Sequence, residues 1–215
     1  MRVNFNAEEF RVVAYSCQFV QHVENSWNRL PSEKLTGVVA GEPPRLETTF
    51  QACWTEDSLY IRFLCEDDHV VATMTEHDDP IYQEDVVEVF VSPTGKLTDY
   101  YEFEVSPTGV LFDAFIHNHL NGSIDGDIAW HAPGFRAEIT PYAEGWVSYI
   151  IRIPFADLDG RAMPADGETW LCNFYRIDDD REGNRHYWAW CPTGQINYHV
   201  PQKFGQMVFE RRENY

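Results

Sequence analysis

Tyr82-Gln83-Glu84-Asp85-Val86-Val87-Glu88-Val89-Phe90-Val91, followed shortly by Tyr100-Tyr101-Glu102-Phe103-Glu104-Val105-Ser106, is the stretch that decides the fold. Both runs alternate with a period of two, the mark of strands that bury one face. Ser92-Pro93-Thr94-Gly95 between them is rich in turn formers, so the runs are expected to pair as a hairpin. With Val87, Val89 and Val91 set toward a core opposite Tyr101, Phe103 and Val105, the other face collects Glu88, Phe90, Tyr100, Glu102 and Glu104. Carboxylates side by side across strands repel one another. Such a face calls for compensation by a polyhydroxylated ligand, a cation or an arginine.

Similar patterns recur on either side. Leu59, Ile61, Phe63 and Cys65 alternate with Tyr60, Arg62, Leu64 and Glu66, and residues 109–116, 146–153, 170–177 and 205–210 each read as a strand. Many short strands separated by Gly, Pro, Asn and Asp predict an all-β protein. The expected architecture is an antiparallel β-sandwich, of jelly-roll or immunoglobulin-like type, with few short helical turns. One such turn is expected at Pro154-Phe155-Ala156-Asp157-Leu158, with proline at its start. Residues 178–184 read as a polar loop before the aromatic run Tyr187-Trp188-Ala189-Trp190, and the first 40 residues as an edge strand and an arm wrapped around Trp27. With no linker or repeat in view, a single domain over 1–215 is the simplest assignment.

The chain carries 35 acidic against 16 basic residues, a formal charge of -19, which makes nucleic acid and anionic membrane surfaces poor partners. No run of 18 apolar residues offers a membrane span, and the first residues hold no apolar signal core. The expected location is the cytoplasm unless the sequence was trimmed from a secreted protein. Cys17, Cys53, Cys65, Cys172 and Cys191 show no C-x-x-C spacing and are expected to be free thiols rather than zinc ligands.

Several motifs resemble those of carbohydrate-binding module family 9 and its DOMON-like relatives. Cys53-Trp54-Thr55-Glu56-Asp57-Ser58-Leu59-Tyr60-Ile61 is similar to the family's Trp-x-x-Asp-x-Leu-Tyr segment. Tyr82 to Phe90 resembles its Trp-x-x-Asp-x-Val-Glu motif. Asn173-Phe174-Tyr175-Arg176, Trp188 to Thr193, Tyr198-His199-x-Pro201 and Phe204-Gly205 resemble its C-terminal half. The resemblance spans roughly residues 35 to 210 and implies a β-sandwich that binds oligo- or polysaccharide without cleaving it. It also implies two aromatic rings clamping a terminal sugar, polar side chains on its hydroxyls, and structural calcium. Tyr82 falls where the family has a clamp Trp, and Glu88 where it has a hydroxyl-binding Glu. Where the family has an Arg on the next strand, this chain has Glu102 or its neighbours. Trp188, Trp190 and Tyr198 compete for the second clamp.

A sugar presents an apolar face to an aromatic ring and a rim of hydroxyls to carboxylates, amides and arginine. The candidate ligand-binding residues are therefore Tyr82, Glu88, Glu102, Arg176, Trp188, Trp190 and Tyr198. Arg176 would share a face with Cys172 and Phe174 and pair with an acid of the Glu88 set. Trp188 and Trp190 share a parity and serve either as core or as platform. Asp67-Asp68, Asp78-Asp79 and Asp178 to Asp180 offer oxygens that calcium would take, although solvated loops are the better account of them. Two other functions compete. One is a glycoside hydrolase using Glu88 with Glu102 or Glu104. The other is a haem-binding electron carrier with Met74 and His117 or His119 as axial ligands.

Overall fold

The structure is a computed structural model that describes residues 13–211. Fourteen strands follow in order: β1 (Ala14–Phe19), β2 (Glu33–Lys34), β3 (Thr36–Gly37), β4 (Thr48–Trp54), β5 (Ser58–Glu66), β6 (Val86–Ser92) and β7 (Asp99–Val105). Then come β8 (Leu111–Asn118), β9 (Ile124–Asp127), β10 (Arg136–Ala143), β11 (Trp146–Pro154), β12 (Thr169–Asp179), β13 (Arg185–Ala189) and β14 (Gly205–Glu210). The helical content among the described residues is confined to three-residue 3-10 turns, one of them Phe155–Asp157 behind Pro154 as expected. No helix among these residues is long and apolar enough to cross a membrane.

The strands hydrogen-bond in one continuous path, β10-β11-β5-β4-β1-β14-β12-β6-β7-β8-β9. This path curls so that its halves face each other. Phe50 of β4 stacks on Phe174 of β12 with ring centroids 4.0 Å apart, and Phe63 of β5 meets the same ring at 6.1 Å. A single apolar core fills the space, drawing Ile61, Phe63 and Ile151 from one half and Val89, Phe103, Phe174 and Phe209 from the other. Pairing is antiparallel except at β1, which runs parallel to both β14 and β4. The N-terminal strand is therefore no edge strand but the seam that joins the two halves. Trp27 is buried beside it with Leu30 and Cys53.

The deciding hairpin forms as its pattern requires. In the β6–β7 register Glu88 lies opposite Glu104, Val89 opposite Phe103, Phe90 opposite Glu102 and Val91 opposite Tyr101. Gly95 closes the connection at φ +69, a left-handed conformation suited to a residue without a side chain, and its N–H donates to the Ser92 carbonyl. Strand β12 runs two residues further than the polar composition of 178–184 suggests. Asp178 extends it as a buried residue because arginine side chains neutralise it there. All five cysteines are buried and free.

Candidate functional site

The outer face of β6, β7 and β8 is not open to solvent. A second apolar cluster covers much of it, with Ile81, Tyr175, Tyr198 and Phe204 packed over Phe90 and Tyr100. Between this cover and the strands lies a hollow of about 550 Å³. Its floor carries Glu88, Glu102 and Glu104. Phe112, Ala114 and Ile116 of β8 form one side, and Ile177, Tyr187, Tyr198 and His199 the other, with Tyr82 at the rim.

Registry explains the floor. Tyr175 pairs with Glu88, Glu88 with Glu104 and Glu104 with Phe112, giving one row across four strands. The adjacent row on the same face runs Asn173, Phe90, Glu102 and Ala114. Two glutamates thus face each other directly and the third sits diagonally, the arrangement in which like charges repel most. All three are buried, Glu104 completely.

The three carboxylates have little to hold them. Glu104 lies beside both Glu102 and the Tyr82 amide. Both Glu104 oxygens and Oε1 of Glu88 are buried without a hydrogen-bond partner among the described residues. Burial, and then the neighbouring acids, push Glu88 and Glu104 well above the usual carboxylate range. Burial raises Glu102 to about 7. One oxygen from each carboxylate falls within 4.8 Å of the other two.

Protein cations nearby are engaged elsewhere. Arg185, which lines the hollow, gives Nε and Nη2 to the two oxygens of Asp179, each at 2.8 Å, and reaches the Gln83 carbonyl. His199 meets the Tyr100 hydroxyl through Nδ1 at 2.9 Å, and burial lowers it to about 4, so its ring stays neutral.

The aromatic walls differ in character. Tyr198 is buried and stacks on Tyr175 with centroids 4.0 Å apart; its hydroxyl donates to the Arg176 carbonyl, while the Tyr175 hydroxyl donates to the Tyr198 carbonyl. Tyr82 is 46% exposed at the mouth and meets Phe112 in a T-shaped contact with ring centroids 6.5 Å apart. Ile128 and Ile196 extend the same apolar lip and are also exposed.

Of the sequence candidates, Tyr82, Glu88, Glu102 and Tyr198 gather at this hollow. Arg176, Trp188 and Trp190 do not. Arg176 does share a face with Cys172 and Phe174, but that face is the inner one, so it cannot pair with Glu88. Its guanidinium instead lies 2.5 Å from Asp178 and 3.4 Å from Asp67, donates to Thr48 Oγ1 and the Glu66 carbonyl, and rests over Trp188. Trp188 and Trp190 are core: the second packs against Phe50 and Phe174, and its ring lies so close over Gly205 that no side chain would fit there.

Phe112, Tyr187 and His199 join the site without having been candidates in the sequence, and Glu104, placed by parity on the acidic face and named as a hydrolase carboxylate, lies opposite Glu88 as that parity requires. Phe112 follows from carrying that row one strand further, whereas Tyr187 and His199 arrive from distant segments.

Among the described residues, those that could hold a metal form three sets: Glu88, Glu102 and Glu104; Asp67, Asp85 and Asp178; and Asp113 with His77 and His131. In the second, Arg45 and Arg176 neutralise Asp178, and Asp85 accepts N–H groups from Val71 and Asp179. In the third, both imidazoles contact the Asp113 carboxylate within 3.2 Å. His117 on β8 and His119 just beyond its end are bonded to Asp99 and Asp125.

Comparison with known proteins places the chain in a family. The profile of the family described as carbohydrate family 9 binding domain-like matches residues 21–212. A protein of Arthroderma benhamiae described as "Extracellular protein" is 28% identical over 203 residues, covering 85% of this chain and 86% of that one. Among solved structures, a candidate carbohydrate-binding protein from Bacteroides uniformis superposes with a TM-score of 0.74 at 21% identity, over 93% of this chain and 100% of that one. A family 9 carbohydrate-binding module from Caldicellulosiruptor kristjanssonii in complex with cellotriose gives 0.68 at 15% identity, over 94% and 95%. The module from that organism in complex with glucose gives 0.66 at 14%, over 94% and 98%. At such identities the likeness of these structures is one of fold, that of a β-sandwich.

Proposed function

Since the chain belongs to the carbohydrate family 9 binding domain-like family, we propose that the hollow beneath Tyr82 is a non-catalytic carbohydrate-binding site. The observation that carries this reading is the pairing of an exposed aromatic residue at the mouth with buried carboxylates at the floor. The ring suits the apolar face of a sugar, and the carboxylates suit its hydroxyls. The structural relatives solved with glucose and cellotriose support a neutral sugar, and the apolar lip of Ile128 and Ile196 suits a chain that extends past the mouth. The ligand is therefore an oligo- or polysaccharide entered by one terminal unit.

Binding fits this floor better than hydrolysis does. A glycoside hydrolase sets one carboxyl to keep its proton and another to stay charged. Here burial pushes all three acids in the same direction, so none is marked as the one that stays charged. A cation belongs to this proposal only at the floor of the hollow, because the Asp67 and Asp113 sets are satisfied from within.

The test is a calorimetric screen of mono- and oligosaccharides, repeated with Tyr82→Ala. Loss of the exposed ring is expected to cut affinity by about 1–2 kcal/mol, extrapolating from aromatic contact energies, with the melting temperature unchanged. Undiminished binding in that variant would remove Tyr82 from the site, and a blank screen across neutral glycans would overturn the reading.

A further inference from the structure

Three carboxylates buried beside one another need a counter-charge. An ionised carboxylate taken out of water unpaired costs several kcal/mol, so a protein either leaves it protonated or brings a cation to it. Elsewhere this chain supplies arginine. At the floor of the hollow none of the described residues does so: Arg185 is forked onto Asp179, and His199 holds a neutral ring against Tyr100.

The donors left over are aimed at one place. Both oxygens of Glu104 and one of Glu88 are buried without a hydrogen-bond partner, and all three glutamates line the same hollow. An oxygen from each lies within 4.8 Å of the other two. Two oxygens bound to one calcium ion can stand at most about 5 Å apart, twice the metal–oxygen distance, so the set fits a single ion. Magnesium, with bonds of about 2.1 Å, would draw them closer and demand a stricter octahedron. The donors are all carboxylate oxygens, which select hard cations over zinc or copper. The hollow opens to solvent at Tyr82, which gives the ion a way in.

We propose that Glu88, Glu102 and Glu104 form a calcium site at the floor of the hollow, and that adjacent hydroxyls of a bound sugar complete its coordination. The second half rests on the carbohydrate reading; the first does not. Calcium takes six to eight oxygens, three glutamates can supply at most six of them, and the side facing the hollow is free for water or a diol. The cation also explains how a floor of three acids can receive a neutral sugar, because it converts repelling acceptors into one electrophilic centre.

The experiment uses the whole protein, stripped with a chelator and dialysed. Calcium is titrated by calorimetry, and terbium by luminescence excited through nearby tyrosines, in the wild type and in Glu88→Gln and Glu104→Gln. The expected result is calcium binding that displaces terbium and weakens by about tenfold or more in each variant. Both variants remove a buried charge and are expected to stay folded, which melting curves check. Calcium affinity and stoichiometry unchanged in both would overturn the site, as would no binding at millimolar calcium. Sugar affinity is then measured with calcium and with chelator. A drop of about tenfold or more in chelator supports the bridge. Equal affinity in both overturns the bridge while leaving the carbohydrate reading standing. Calcium binding with no sugar bound overturns the carbohydrate reading while leaving the ion site standing. Tighter binding of a protonated amino sugar than of calcium would assign the floor to an ammonium group instead and overturn the proposal.

Discussion

Two buried acidic clusters lie on opposite faces of the same sheet, and the protein treats them differently. On the inner side Asp67 and Asp178 surround Arg176, while Arg45 closes the second oxygen of Asp178 at 2.7 Å. Asp85 nearby accepts two backbone N–H groups. That cluster is complete in itself and ties β12 to the loops after β5 and before β6. On the outer side Glu88, Glu102 and Glu104 face a hollow with no protein cation committed to them. The motif Tyr82-x-x-Asp85-x-x-Glu88 reaches into both: its aspartate sets loops in place, and its glutamate faces the hollow. Satisfied charge marks architecture here, and unsatisfied charge marks the place where something is to bind.

The contrast is broken most forcefully at Arg176. Arg176→Met leaves Asp178 and Asp67 buried with only Arg45 in reach, and removing one partner of a buried pair costs about 3–5 kcal/mol. Chemical denaturation is expected to show a loss of that size, or a chain that fails to accumulate folded. A change within about 1 kcal/mol would mean that the inner cluster is not held by Arg176.

The same operation on the outer side should have the opposite sign. Glu104→Gln keeps the shape and deletes a buried carboxylate that has no partner, which is expected to raise stability by about 1–3 kcal/mol at neutral pH in chelator. The pH dependence follows. A carboxyl whose folded pKa lies above its unfolded one stabilises the fold below the unfolded value, and that stability is lost as pH rises through the folded value. For Glu102 the window runs from about 4.5 to about 7. The melting temperature in chelator is expected to fall across it, and to fall less in Glu102→Gln. A wild-type curve that rises over that window would show that these acids are paired after all.

How much of this was legible in the chain depends on distance along it. The hairpin, its register and the faces of its side chains followed from the alternation of residues 86–91 and 100–105, because parity is a local property. That Glu88, Glu102 and Glu104 share one face was likewise readable. Their burial was not: the cover comes from Tyr198, Phe204 and Ile81, and no local pattern says that a later loop returns over an earlier strand. Arg176 was given the right face and the wrong partners, since parity tells which side a side chain takes but not which of two acid sets waits there. The seam strand β1 was misread as an edge because its parallel partners β4 and β14 are distant in sequence.

The mildest prediction tests whether the two sides are as separate as their geometry implies. Among the described residues Arg185 is the one cation on the wall of the hollow, and its fork meets Asp179 with two bonds of 2.8 Å while the side chain stays partly exposed. If that pair is only a partly exposed salt bridge, Arg185→Met should cost under about 1 kcal/mol. It should also leave the pH dependence of stability as it was, since the glutamates never relied on Arg185. A larger loss, together with a fall in stability between pH 5 and 7 steeper than in the wild type, would mean that the guanidinium does offset the floor. The outer cluster would then be neutralised by arginine as the inner one is, and the need for an incoming cation would lapse.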